Sequence, residues 1–349
     1  MSILTVKELA SPAGFDLQMP ASAMIDGQAL TAYRSEWPSR KNIIINGGFD
    51  VWQRGTSGGT VNTYLADRWE SGGGGALSQD RQVATSGDDF NYSLRVQRPS
   101  TETHGWSVIG TTLEELDSLP LRGKTLTFSC LIKVGANYSP TSSQLGMGIG
   151  SSTIANRSWR YLGNVTEQKT VTTSWVRYSV TVTIPTDSKQ VGCGFVCSPT
   201  GTAGADDWFE IANAQLEVGS TATDFEHRSY GEELALCQRY YQKYENTGNI
   251  NSNDGALFNT CAWGTTSTFS AFVYINPMRT SPSVGFSDTT ANSLLLMVAG
   301  SATTPTSWGI NNSSDTRFEI TLNSSSLTAG EAGWVRLLAN KFMYLDAEL

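Results

Sequence analysis

Positive charge is scarce in this sequence of 349 residues: 24 Lys and Arg stand against 32 Asp and Glu, for a formal net charge of -8. Binding a phosphate backbone takes a basic face that displaces counterions, so a nucleic-acid partner is not expected. Long apolar runs are missing too. Nothing approaches the roughly 18 consecutive apolar residues that span a bilayer, and "SLLLMVAG", Ser293 to Gly300, is far too short, so no membrane insertion is expected. The opening "MSILTVKELA" lacks a basic start, a long apolar stretch and a small-residue cleavage site. Without a secretory signal, the chain is expected to be made and folded in a cytosol.

Cysteine and histidine are rare as well. Cys130, Cys193, Cys197, Cys237 and Cys261 are odd in number and show no metal-ligand spacing, which argues against a disulfide framework or a metal centre. His104 and His227 sit in polar, turn-like contexts with no nucleophile elbow and no Cys–His pairing nearby. The carboxylate pairs Glu114–Glu115, Asp206–Asp207 and Glu232–Glu233 are adjacent in sequence, and neighbours on a strand point to opposite faces. Glycoside hydrolysis needs two carboxyls facing one another across a cleft. No catalytic residue, cofactor or metal is therefore expected, and the chain reads as a non-enzyme. "GMGIGSS" from Gly146 imitates a nucleotide loop but lacks a βαβ context, and reads instead as a glycine-bearing strand.

What the sequence has in quantity is glycine, at 34 residues, and aromatics, at 10%. Strict alternation recurs from Asn42 to about Arg228. "LTFSCLIKV" puts Leu126, Phe128, Cys130, Ile132 and Val134 on one face; "VRYSVTVTI" does so with Val176, Tyr178, Val180, Val182 and Ile184; "QVGCGFVCS" with Val191, Cys193, Phe195 and Cys197. Turn clusters between such runs predict an antiparallel jelly-roll β-sandwich over 41–228. The preceding residues, 1–40, carry apolar side chains without enough of them for a core, and read as an extended arm that docks on something else.

One short helix follows the sandwich. "SYGEELALCQRYYQKY" has Glu232 and Glu233 in its first turn and Arg239 and Lys243 toward its end, and Leu234, Cys237, Tyr241 and Tyr244 form one stripe at helical spacing. The spacing predicts a helix over Glu232 to Tyr244 within a linker at 229–250. Its stripe is expected to meet an oligomer partner or to pack on its own sandwich. A second, smaller β domain at 251–349 is legible in "FSAFVYIN", "TRFEITLN", "WVRLLA" and "KFMYLDAEL", and its small, Ser-rich make-up suits stabilisation by oligomerisation.

Among the ten tryptophans, Trp159 falls in "NRSWRYLG", where Arg157, Trp159 and Tyr161 would share one strand face. Rings on a sheet face stack on sugars while Arg binds their hydroxyls, so these three are the candidate glycan site; equally, each ring could pack a core or a subunit contact.

The series "NGGFDVWQRG", "LADRWES", "SLRVQ", "GKTLTFSCLIKV", "SWVRYSVTVTIP", "FEIANAQLEVGSTATDFEHRSYGEELALCQRYYQKY" and "NPMRTSPSV" resembles a family of tailed-bacteriophage virion proteins, tail fibre or minor structural proteins, over Asn42 to about Val284. The sandwich half resembles a jelly-roll carbohydrate-binding module. These resemblances imply a virion location in the tail, a trimeric fibre joined to other tail or baseplate proteins through residues 1–40, and a host-surface polysaccharide as ligand. A head decoration, collar or baseplate adaptor is the alternative, and a polysaccharide depolymerase a weaker one. Modules of this type often hold calcium with acidic residues of the last strand; Ala212 and Asn213 stand there in "FEIANAQLEV", so no metal is expected. The stretch "KNIIINGGFDVWQRGTS" then reads as the first strand of the sandwich, with Ile43 and Ile45 entering the sheet, Gly47 and Gly48 bending it, and Phe49 and Trp52 anchoring the core.

Overall fold

A computed structural model of the chain describes residues 24–25, 28–29, 40–59, 61–74, 77–103, 105–246, 256–261, 267–288, 293–298, 301–324 and 332–348. It separates into two units, Met1–Lys41 and Asn42–Leu349. In the first, two short strands, Met24–Ile25 and Gln28–Ala29, pair antiparallel. The rest of the expected arm, 1–39, lies outside the described residues, as does His104. No described helix is long and apolar enough to cross a membrane.

The protein is mainly β, and its larger part is an antiparallel jelly-roll sandwich. One sheet has six strands, in the order Val176–Thr183, Thr125–Val134, Trp208–Val218, Tyr92–Gln97, Ser78–Val83 and Ser57–Gly58. The facing sheet has five, in the order Gly163–Thr170, Gln144–Ser152, Gln190–Cys197, Ser107–Thr112 and Glu70–Gly73. Alternation places Leu126, Phe128, Cys130, Ile132 and Val134 inward from the first sheet, against Leu145, Met147, Ile149, Val191, Cys193, Phe195 and Cys197 from the second. Phe128 and Phe195 meet across the gap with ring centroids 5.4 Å apart. Burying rings and branched chains of this size contributes about 1.5–3 kcal/mol each. The edge strand Val176–Thr183 follows the same pattern more loosely: Val180 is buried, while Val176 at its start is exposed.

The stretch Asn42–Trp52 is not a strand. It runs as an irregular segment along Trp208–Val218, where the register slips between Ala212 and Gln215 and Asn213 takes a positive φ of 49°. The Ile43 N–H donates to the Leu216 carbonyl at 2.8 Å, and the Ala214 N–H to the Gly47 carbonyl at 2.9 Å. A Cβ on Gly47 would lie 2.0 Å from the Ala214 oxygen, so glycine is there for close approach rather than for a bend. Ile44, not Ile43 or Ile45, is the fully buried isoleucine. Phe49 and Trp52 do anchor the core, and Phe49 packs 5.0 Å from Trp69.

Asn46 is the hub of this segment, completely buried at a φ of 56°. Its amide donates to the Val51 and Asp67 carbonyls at 2.8 and 2.9 Å and accepts the Val51 N–H at 3.0 Å. Its backbone N–H donates to Glu233 at 2.5 Å, and its carbonyl accepts the Trp69 indole at 3.0 Å. Asparagine tolerates left-handed backbone better than other residues with a Cβ, and here it also meets the buried backbone's polar needs.

The helix after the sandwich covers Tyr230–Gln238, ending three residues before Tyr241 and six before Tyr244. Tyr241–Asn246 is instead a strand, paired from Tyr241↔Asp346 to Asn246↔Lys341 with the strand Lys341–Asp346. Ser283–Phe286 completes this three-stranded sheet. It packs on a seven-stranded sheet in the order Ser301–Thr303, Leu294–Val298, Ala332–Leu337, Ala256–Cys261, Thr268–Tyr274, Arg317–Asn323 and Ser307–Asn311. Phe269, Phe318, Leu322, Val335, Met343 and Leu345 build the second core between them.

Sandwich and second β part are joined by buried charge. Arg54 reaches Asp67 at 3.4 Å, Asp346 at 3.2 Å and Glu348 at 3.3 Å, with its guanidinium 3.7 Å from the centre of the Tyr241 ring. Arg68, almost wholly buried, pairs with Glu348, donates to the Thr112 carbonyl at 2.6 Å and lies over Tyr240 at 3.6 Å. Glu114 takes two hydrogen bonds from Arg239, at 2.7 and 2.9 Å, and one from the Tyr240 hydroxyl at 2.7 Å. Burial raises the Glu114 carboxyl, but the Arg239 and Tyr240 hydrogen bonds outweigh it and hold the group below its ordinary value. Arg239 and Tyr240, the two residues that follow the helix, are thus tied to the sandwich through Glu114.

Candidate functional site

The residues expected to bind glycan do not share a strand face. Trp159–Tyr161 is a single 3-10 turn in the segment that crosses the outer face of the five-stranded sheet. Trp159 is 1% exposed and packs with Val108, Leu162 and Val196 in a small core of its own. The floor beneath it is glycine: a Cβ on Gly110 would sit 2.4 Å from the indole, and one on Gly194 2.7 Å from its Nε1. A ring filling a glycine trough cannot also stack on a sugar. Its N–H has no hydrogen-bond acceptor among the described residues. Tyr161 is 58% exposed with the Arg160 guanidinium 4.8 Å over its ring, and Arg157 is half-buried, its backbone N–H given to Gln190 at 2.5 Å. The three residues therefore form no common surface.

The expected oligomer stripe is divided as well. Cys237 and Tyr241 are buried within the chain's own fold, Leu234 and Tyr244 are half-buried, and Tyr244 packs on the second core. The Tyr241 ring stacks on Tyr344 at 6.0 Å. A turn at Arg239 and Tyr240, a strand beginning at Tyr241 and intramolecular cover for the buried pair replace the single helical face that the spacing predicts.

A different surface has the shape of a binding site. It is an open groove of about 550 Å³ on the sandwich, lined by Asp50, Arg81, Val83, Asn91, Tyr92, Arg228 and Tyr230. Three pieces of chain build it. The hairpin Ser78–Val83 with Tyr92–Gln97 pairs Arg81 with Leu94 and Val83 with Tyr92, so Arg81, Val83 and Tyr92 share one face. The Asn42–Trp52 segment brings Asp50, directly after Phe49 at its positive φ of 56°. The stretch leading into the helix brings Arg228 and Tyr230, the latter 60% exposed.

The groove's polar groups differ in how far they are committed. Arg228 is held by both Glu233 oxygens at 3.2 Å and by the carbonyls of Ile44 and Asn42. Asp50 accepts from the Asn91 amide at 3.4 Å. Burial raises its carboxyl above the ordinary value, against the opposing pull of that hydrogen bond and of His227. His227 itself stands edge-on to Phe225, ring centroids 4.8 Å apart. Arg81 lies 4.5 Å over the Tyr92 ring. Aromatic faces, an amide, a carboxylate and a guanidinium on a volume of a few hundred Å³ suit a ligand with both apolar faces and hydroxyl edges.

Sequence reasoning missed this groove because its residues are spread from Asp50 to Tyr230 and none falls in a motif. Among the described residues no three His, Cys, Asp or Glu side chains come together to hold a metal ion. Where the sequence has Ala212 and Asn213, Ala212 is buried and apolar, and the Asn213 side-chain oxygen is buried with no hydrogen-bond partner among the described residues.

No family model and no curated protein matches the chain. Solved structures do resemble it in part. A family-4 carbohydrate-binding module aligns at 18% identity and a TM-score of 0.33, over 50% of this chain and 98% of that one. The CBM22-1 xylan-binding domain of Paenibacillus barcinonensis Xyn10C aligns at 14% and 0.32, over 53% of this chain and all of that one. The enzymatically active domain of tailspike protein 4 of bacteriophage CBA120 aligns at 13% and 0.32, over 51% of this chain but 21% of that one. At these scores the likenesses say nothing about what this chain binds.

Proposed function

We propose that the chain is a non-enzymatic virion protein of a tailed bacteriophage, a trimeric tail fibre that docks through residues 1–40 and binds host-surface glycan with its sandwich. The virion location, the trimer and the docking arm rest on the sequence resemblance. Glycan binding rests on one observation, the open groove whose lining combines Tyr92 and Tyr230 with Asn91, Asp50 and Arg81. Among its described lining residues Asp50 is the one carboxylate, which suits recognition of hydroxyls, whereas hydrolysis by paired carboxyls calls for two.

A purely structural role, as head decoration, collar or adaptor, has one observation in its favour. Trp159 fills the trough over Gly110 and Gly194 on the outer face of the five-stranded sheet, so its ring is not open to a ligand there. The two readings part in a binding experiment on the full chain with polysaccharide from the host envelope. Replacing the exposed ring, Tyr230→Ala, removes a stacking contact and should weaken binding several-fold while leaving the unfolding midpoint unchanged. Absence of binding by the unaltered protein would leave the structural role.

A further inference from the structure

We infer that the groove selects an acidic saccharide, and that Arg81 receives the anionic group. This deepens the glycan-binding reading and rests on it. Most arginines of the sandwich are spoken for: Arg95, Arg98, Arg228 and Arg239 each hold a carboxylate at 2.5–3.2 Å. Arg81 is different. Half-buried in the groove wall, its guanidinium takes part in no hydrogen bond or ion pair among the described residues, and it lies over the Tyr92 ring. A cation taken partly out of water without a counter-charge gives up hydration and gains little in return. Stacking on Tyr92 fixes the plane of the fork while leaving its N–H edges free. A planar, oriented set of donors matches two oxygens of one carboxylate, or of a sulfate or phosphate ester, bidentately.

The other charged groups of the groove do not compete for that role. Arg228 is neutralised by Glu233, which lies buried behind the groove wall. Asp50, turned toward Asn91 and disfavoured as an anion by burial, is placed to accept sugar hydroxyls. Tyr230, 60% exposed, supplies a ring face for the rest of the unit. The whole chain opposes an acidic polymer with its net charge of -8, so affinity for one would have to arise from a local site.

The test compares the full chain on three polymers, polygalacturonate, dextran sulfate and unmodified dextran, by calorimetry at two salt concentrations. Preference for either acidic polymer over dextran is expected, and the stronger of the two identifies the group as carboxylate or ester. Arg81→Gln should lower affinity for the preferred polymer about 10- to 100-fold, the range for hydrogen bonds to a charged group, with Arg81→Lys between the two. Equal binding to dextran and the acidic polymers, or an Arg81→Gln affinity equal to wild type, overturns the acidic preference and leaves glycan binding standing. If none of these polymers nor host-envelope polysaccharide is bound, the glycan-binding reading itself falls.

Discussion

Replacing Asn46 with alanine should be among the most damaging single changes in the sandwich. The truncation strips the partner from two buried backbone groups, the Val51 N–H and the Asp67 carbonyl. The Val51 carbonyl keeps one donor, the Asp67 N–H at 3.2 Å. Each orphaned group costs about 1–3 kcal/mol. Alanine must also hold the φ of 56° without asparagine's tolerance for it, which adds about 1 kcal/mol. The expected loss is about 3–7 kcal/mol, a large part of the 5–15 kcal/mol that holds a typical domain together. With a urea slope of about 2–3 kcal/mol per M, the midpoint should fall by about 1–3.5 M. Asn46→Gly separates the two causes. It loses the same hydrogen bonds but accepts the left-handed backbone, so it should be the more stable variant by about 1 kcal/mol. Urea titrations followed by tryptophan emission read both. A loss under about 1 kcal/mol in Asn46→Ala, or a glycine variant no better than alanine, would refute the hub.

Two more changes probe other parts of the fold. Gly110→Ala places a Cβ 2.4 Å from the Trp159 indole, so the ring must leave its trough; overpacking of this kind costs about 1–3 kcal/mol, and an unshifted emission spectrum would show the trough to be more yielding than its geometry implies. Asp67 is raised to about 6, chiefly by burial, against the pull of Arg54 and Gln53. An acid that binds its proton more tightly in the folded state loses stability as pH rises from its unfolded value, near 4, to its folded one, here by about 2–3 kcal/mol. Stability of the wild type relative to Asp67→Asn should therefore fall between pH 4 and pH 6.5, and parallel pH profiles for the two proteins would count against the assignment.

The two-sheet core was open to reading because each inward strand face is fixed by alternation alone: Leu126 through Val134 point the same way whatever lies opposite. Alternating glycine carried a further message. Gly146, Gly148 and Gly150 alternate with Met147 and Ile149, and Gly192 and Gly194 with Cys193 and Phe195. A stretch of sheet floored with glycine leaves room for bulky side chains from outside, and over Gly192 and Gly194 these are Leu162 and Trp159. What the pattern could not name was the source. The helix was overextended because Tyr241 and Tyr244 fit helical spacing, while the partner that draws them into a strand, Lys341–Asp346, is about a hundred residues away. For the groove there was no local signal at all, since Asp50, Arg81, Tyr92 and Tyr230 become neighbours only when the sandwich closes.

The pairing of Tyr241–Asn246 with Lys341–Asp346 has a mechanical meaning. These two strands are antiparallel and in unbroken register, and both run into the junction where Arg54 and Arg68 hold Asp346 and Glu348. A pull directed along Tyr241–Asn246 therefore strains the whole row of backbone hydrogen bonds at once, in shear, instead of opening them one after another from an end. Such a clasp resists tension far better than its equilibrium stability suggests.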